Sequence, residues 1–300
     1  MDQSASFDEI WSAIGQMPRR APILDLKSHA APSIFLPGNM LREARRQKNL
    51  ADTPVPPVCI LDPDGDLLAQ LQLAKRTTEC TGWACYHTTM HGFEHAGRKF
   101  GIIGGAVGAA FAVLLAEQAF ASGCELLISL TSAGQITASE PAPYFILIER
   151  ALRDEGTSYH YLAASRYAEA DTALTQPVFA ALQAMGRHVH RGATWTTDAP
   201  FRETETAVAA ARAEGILAVE MEAAALYAFA KASGNRVLCF AQVTNQMGQI
   251  SGDFEKGEAN GAHDALSLIS IAAAAALTAV AAAAALTKVA ADAAVMAVAK

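Results

Sequence analysis

The sequence contains no Cys-x-x-Cys pair, and its five cysteines (Cys59, Cys80, Cys85, Cys124 and Cys239) are odd in number. A disulfide framework is therefore not expected. Most of the five lie in apolar runs, as buried free thiols do, which points to a reducing, cytoplasmic compartment. Cys85, His87 and His91 are close in sequence, but "CYHTTMH" reads as a strand and no second ligand cluster matches it, so no metal is expected. His87, His91, His188 and His190 all read as strand residues. There is no long Lys/Arg tract and the formal charge is −7, which argues against a nucleic-acid partner. The densest basic cluster, "REARR" from Arg42 to Arg46, fits the polar face of one helix. The acidic N-terminus, "MDQSASFDEIWSAIGQ", lacks an apolar stretch of signal-peptide length, so secretion is not expected. Charge is also missing from Ala265 to Thr287, a span long enough to cross a bilayer. That span is chiefly alanine, however, and Lys288 and Asp292 continue its helical pattern. The expectation is a soluble helix over about 262–300, packed on a sheet, rather than a membrane anchor.

Of the 300 residues, 52% are hydrophobic and 18% charged, enough to core one large domain or two smaller ones. There is no internal repeat and no long linker. Apolar, β-branched runs ("IFL" before Pro37, "VCILD", "RKFGIIGG", "ELLISLTSAGQI", "PYFILIE", "HVHRGATWTT", "GILAVEM", "RVLCFAQVTN") alternate with helical stretches at Val107–Ala121, Thr175–Met185, Glu203–Glu214, Ala223–Ala232 and from Ala262 onward. Thr175 would cap its helix, with Pro177 in the first turn. This alternation predicts an α/β fold: a single three-layer domain over 1–300, with a mixed central β-sheet flanked by helices.

In such folds ligands sit past the carboxyl ends of the strands. Four strand ends carry more than turn filler. "PGNMLR" puts Gly38 and then Arg42 at a helix start, where backbone N–H groups and a guanidinium suit an anion. "LTSAG" supplies Thr131, Ser132 and Gly134 at a tight turn. "VEMEAAALY" sets Glu220 and Glu222 around Met221; two acids at i and i+2 share a face only in an extended segment. "QVTN" ends a central strand in Thr244 and Asn245. Each alone also fits an ordinary turn or cap. Together they suit a phosphate, a sugar diol clasped by a carboxylate, and a base: a nucleoside plus phosphate. "GIIGGAVGAA" does not place its glycines in the dinucleotide-binding register.

The order "PGNMLR … GGAVGA … TSAG … VEMEAAALY … VTN" resembles the hexameric branch of the nucleoside phosphorylase family, from about Phe35 to about Asn245. That branch includes purine nucleoside phosphorylases, uridine phosphorylases and methylthioadenosine nucleosidases. "GNMLR" resembles the family's Gly-Asp-Pro-Leu-Arg with Asn39 and Met40 substituted. The resemblance implies a pentosyltransferase that cleaves the N-glycosidic bond of a purine nucleoside or uridine. Phosphate would be the co-substrate, no other cofactor would be needed, and free base and ribose 1-phosphate would be the products. It implies that Gly38, Arg42, Ser132 and Gly134 bind phosphate. Arg76 lies near where the family lends a basic residue across a subunit boundary. Met221 and Glu222 would hold the ribose, with Glu220 in support; Phe201 and Asn245 would meet the base, and Glu222 and Asn245 would be the catalytic pair. It also implies a role in nucleoside catabolism and purine salvage, and a homo-oligomer, a dimer or a trimer of dimers.

Two positions depart from the pattern. Ser129 stands where the family's phosphorylases carry an Arg, and Asn245 stands where its purine-specific members carry an acidic Asp. Hydrolysis by water, or a catalytically weak nucleoside-binding protein, are the alternatives.

Overall fold

A computed structural model describes residues 21–25, 27–248 and 251–298, with only the backbone from residue 289 on. The acidic segment at the N-terminus and the last two residues of the helix expected over about 262–300 lie outside the described residues.

Most of the strand-like runs form one mixed sheet, whose central strands are buried on both faces and need a helix layer on either side. Strand β5 (Leu126–Gln135) is its axis. At ten residues it is long enough to serve several neighbours. One edge pairs parallel with β10 (Val237–Asn245). The first half of the other edge pairs parallel with β1 (Val58–Asp62), and its last two residues pair antiparallel with β9 (Ile216–Glu220). From β10 the sheet continues antiparallel to β6 (Tyr144–Asp154), then parallel to β8 (Val189–Thr197) and β9. The strands β5, β10, β6, β8 and β9 therefore close a ring. An open wing runs from β1 through β4 (Arg98–Gly104) and β3 (His91–His95) to the short β2 (Thr78–Glu79), and β7 (Tyr167–Glu169) pairs with β6.

Alternation along the strands divides the core in two. Cys59 and Leu61 face helices α3 (Ala109–Ala121) and α6 (Ala223–Ser233), while Val58 and Ile60 face α2 (Asp66–Leu73), α4 (Thr172–Ala184) and α7 (Ala262–Val298). The chain is thus a helix–sheet–helix domain. In α7 burial falls on Ala265, Ile269, Ala272, Ala273 and Ala276, a helical stripe that only tertiary contact creates in so uniform a sequence. Residues 281–288 are exposed. Helix α5 (Glu205–Ala213) is capped by Thr204, whose hydroxyl accepts from the Ala207 N–H.

Three expectations are corrected. No strand forms at "IFL": Ile34 is 100% and Phe35 72% exposed. Helix α1 (Pro37–Lys48) instead starts at Pro37, whose fixed φ and missing N–H suit a first helical position. "CYHTTMH" is irregular up to His91, where strand β3 begins. Helix α4 begins three residues before Thr175, because the Asp171 carboxylate accepts from the Ala173 N–H; Thr175 is buried inside it.

Candidate active site

The ends of β5, β9 and β10 border a cavity of about 370 Å³. Ser132 and Gly134 come from β5, Met221 follows β9, and Asn245 ends β10. A turn after β8 adds Phe201 and Glu203, and the segment after β10 adds Met247 and Phe254. The volume falls in the range of small-molecule sites. Ring closure explains the convergence. Val219 pairs with Gly134, and the β5–β10 pairing matches Asn245 with the same glycine, so three strand ends meet at one residue. A Cβ on Gly134 would lie 3.2 Å from Met247 Cγ and 3.3 Å from Val219 Cγ1, so glycine permits that meeting.

The two acids of "VEME" have different fates. Strand β9 stops at Glu220 and the chain turns at once into α6, so the two side chains do not share a strand face. Glu220 is 3% exposed and lies beneath the start of α6. One oxygen accepts the N–H groups of Glu222 and Ala223 at 2.7 Å each, and the other accepts the hydroxyls of Thr194 (3.1 Å) and Thr196. Both oxygens are occupied, so Glu220 acts on the ribose side only by holding the turn. Glu222 is 1% exposed. Its Oε1 accepts from the Gly108 N–H at 2.7 Å, at the head of the glycine loop before α3. Gly108 adopts φ +94°, a conformation that aims this N–H at no strain only in glycine. Glu222 Oε2 is buried and has no hydrogen-bond partner. Burial, and then the neighbouring Glu220 carboxyl, push the Glu222 pKa up to about 8; the Gly108 N–H and the nearby Thr131 hydroxyl pull the other way.

Asn245 is 9% exposed. Its Oδ1 accepts the Met247 N–H (2.8 Å) and its Nδ2 donates to Thr244 Oγ1 (3.0 Å). That closes the turn after β10 and leaves one lone pair and one N–H hydrogen toward the cavity. Asp253 holds the same segment by accepting from the N–H groups of Gln246 and Gly248. Phe201 is 99% exposed and lines the cavity, as does a second exposed ring, Phe254. Glu203 beside them is half-buried, and burial pushes its pKa up to about 7.

The residues assigned to phosphate are scattered. Ser132 and Gly134 line the cavity. Gly38 and Arg42 lie in the first turns of α1, where the Arg42 guanidinium is on the surface, donating to Glu43 and Asn39. Arg76 donates to the Glu94 carbonyl beside the start of β4, whereas the cavity lies past the strands' other ends. No Lys or Arg is among the residues that line the cavity. The Ser129 hydroxyl is buried without a partner. Asp62, Asp64 and Asp66 border a crevice shared with Thr131 and Ser132, and Lys256 pairs with both Asp64 and Asp66.

Sequence reasoning missed Gly108, Glu203, Met247 and Phe254. Gly108 was visible only as part of a glycine-rich run, and Glu203 as the acid inside "PFRET". Nothing in the sequence ties Phe254 to Phe201, since both reach the rim on turns.

The fold and site define an α/β protein with a cavity of small-molecule size at the ends of its central strands. The chain belongs to the nucleoside phosphorylase family: the sequence profile of the phosphorylase superfamily matches residues 57–289. The chain is also 27% identical to a uridine phosphorylase of Thermococcus kodakarensis over 198 residues, covering 60% of this chain and 70% of that one.

Proposed function

We propose that this protein cleaves the N-ribosidic bond of a purine nucleoside or uridine with phosphate, releasing free base and ribose 1-phosphate in the cytoplasm. The observation that carries this reading is Glu222: a buried carboxyl with one oxygen anchored by the Gly108 N–H and the other unpartnered, one residue from Met221 on the cavity wall. A vicinal diol is a donor pair that can fill such a vacancy. The family and the uridine phosphorylase relative support the reaction class.

The chemistry follows from the sugar. As the base leaves, C1′ takes on positive charge, as in other glycosyl transfers. Phosphate at the Ser132–Gly134 turn would attack C1′ on the face opposite the base. Glu222 would fix the ribose, so that much of the gain is orientation. The base would lie between Phe201 and Phe254, with the remaining amide capacity of Asn245 at its edge. Asn cannot deliver a proton; Glu203 on the same wall can, and a pKa near 7 suits a general acid at neutral pH. With Glu203 as the acid, kcat is expected to fall about tenfold per pH unit above about 7, as this carboxyl loses its proton. Glu203→Gln is expected to lower kcat by about 10²-fold and to flatten that limb. An unchanged alkaline limb in the variant would remove Glu203 from this role.

One observation favours a second reading, hydrolysis. No Lys or Arg among the described residues lines the cavity, and Lys256 is already paired with Asp64 and Asp66 of the neighbouring crevice, so a dianion at Ser132 is poorly compensated by the described residues. Water needs no such compensation. In a homo-oligomer a neighbouring subunit would supply the charge. The test is base release from uridine, inosine and adenosine with and without phosphate. Release that depends on phosphate is the expected result; equal release without it establishes hydrolysis, and binding without release establishes a sensor.

A further inference from the structure

His188 and His190 flank Val189 where the chain enters β8, so their rings leave the extended segment on the same side. Glu140, from the connection between β5 and β6, faces both. Its Oε2 lies 3.1 Å from His188 Nε2 and its Oε1 lies 3.0 Å from His190 Nε2. The three ligand atoms all fall within 4.8 Å of one another, and this is the one such cluster among the described residues. We propose that Glu140, His188 and His190 form a binding site for a divalent transition-metal ion of the zinc type.

The donor set is two imidazoles and one carboxylate, a set that suits zinc and its first-row neighbours rather than magnesium or calcium. With bonds of about 2.0–2.2 Å, a tetrahedral ion needs ligand atoms roughly 3.3 Å apart. Each imidazole nitrogen is already close to that spacing from one of the two carboxylate oxygens, so seating an ion requires local adjustment of the carboxylate and the imidazoles. Three protein ligands leave a fourth position open to solvent, on the exposed His188 side.

The surroundings hold the ligands and keep competing cations away. The Gln135 amide, at the end of β5, donates to the Glu140 carbonyl (2.9 Å) and the Tyr144 hydroxyl (3.0 Å). Tyr144 in turn packs against the His190 ring, with centroids 5.1 Å apart at 69°. The loop that carries Glu140 is thereby tied to the strand that carries His190, as supporting groups around metal sites do. The nearest arginines along the chain are engaged elsewhere: Arg187 with Asp264 and Arg191 with Glu149. Among the described residues the Glu140 carboxylate pairs with these two imidazoles. Gln135 follows Gly134, a cavity residue, so the ion would brace the same end of the strand that supplies the active-site turn.

The test is calorimetric titration of the metal-stripped full-length chain with zinc chloride, with cobalt(II) chloride followed by visible absorption as a second probe. The expected result is one zinc per chain with Kd on the order of micromolar or tighter, weakening toward pH 6 as protons compete for the imidazoles. His190→Ala, His188→Ala and Glu140→Gln are each expected to weaken binding at least about tenfold, whereas Cys80→Ser, which removes a partly exposed thiol, leaves it unchanged. His188 is exposed, so its variant tests the ligand without testing the fold. Absence of stoichiometric zinc uptake by the wild-type chain would overturn the proposal. So would uptake that persists undiminished in His188→Ala and Glu140→Gln.

Discussion

Glu222→Gln is expected to lower kcat/KM for a ribonucleoside by about 10²–10⁴-fold while the protein stays folded. Gln matches Glu in size and keeps a carbonyl oxygen for the Gly108 N–H, so the anchored half of the side chain survives. What is lost is the acceptor at the other oxygen, now an amide N–H₂ that meets the diol donor to donor. Charge-assisted hydrogen bonds contribute about 1.5–3 kcal/mol each, and two hydroxyls are in play, which sets the range. A 2′-deoxyribonucleoside lacks one of them, so wild type should discriminate against it and the variant should do so much less. The pH dependence has a definite sign. In the empty site Glu222 is raised to about 8 and holds its proton at neutral pH. Accepting two hydroxyls favours the ionised form, so binding expels that proton and affinity rises with pH, by about tenfold per unit, up to about pH 8. The Gln variant should lose this slope. Wild-type kcat/KM in Glu222→Gln, or an affinity indifferent to pH between about 6 and 8, would remove Glu222 from the ribose site.

Glu220→Ala is expected to do the opposite: to damage the fold first. It strands two backbone N–H groups at the start of α6 and the hydroxyls of Thr194 and Thr196, all buried. Unpaired buried donors cost about 1–3 kcal/mol each, partly offset because a buried carboxyl, its pKa raised by desolvation, is also removed. A net loss of about 3–4 kcal/mol is the expectation, or a melting temperature lower by on the order of 10 °C. Glu220→Gln keeps one acceptor oxygen and should lose roughly half as much. Thermal unfolding of the two Glu220 variants beside Glu222→Gln separates the acids: the Glu220 variants are expected to lose stability and Glu222→Gln to keep it. Should Glu220→Ala melt with wild type, the four hydrogen bonds that define its role do not carry the load described here.

The fold was legible wherever a run of residues had one structural solution. "VCILD", "ELLISLTSAGQ" and "VLCFAQVTN" are too apolar on both faces for anything but strands covered on both sides, and they occupy β1, β5 and β10 as expected. "IFL" has the same local character and forms no strand, because a strand also needs a sheet edge to pair with, and pairing is not a local property. Helix α4 shows the same limit on a smaller scale, since Asp171 and Thr175 are both plausible caps by type and only the backbone geometry chose between them.

By itself the sequence determined the composition of the core, the alternation that makes a layered α/β domain, and the family, because these depend on residue type and order along the chain. Only the tertiary structure decided how the acids divide their work. Whether Glu220 or Glu222 is left with an open oxygen depends on which N–H groups and hydroxyls arrive from β8, α6 and the Gly108 loop, and Gly108 is 114 residues away from Glu222. The same holds for the Glu140–His188–His190 cluster and for Arg42 and Arg76. Electrostatic function depends on distances through space and on water excluded by neighbours, and ring closure around β5 sets both.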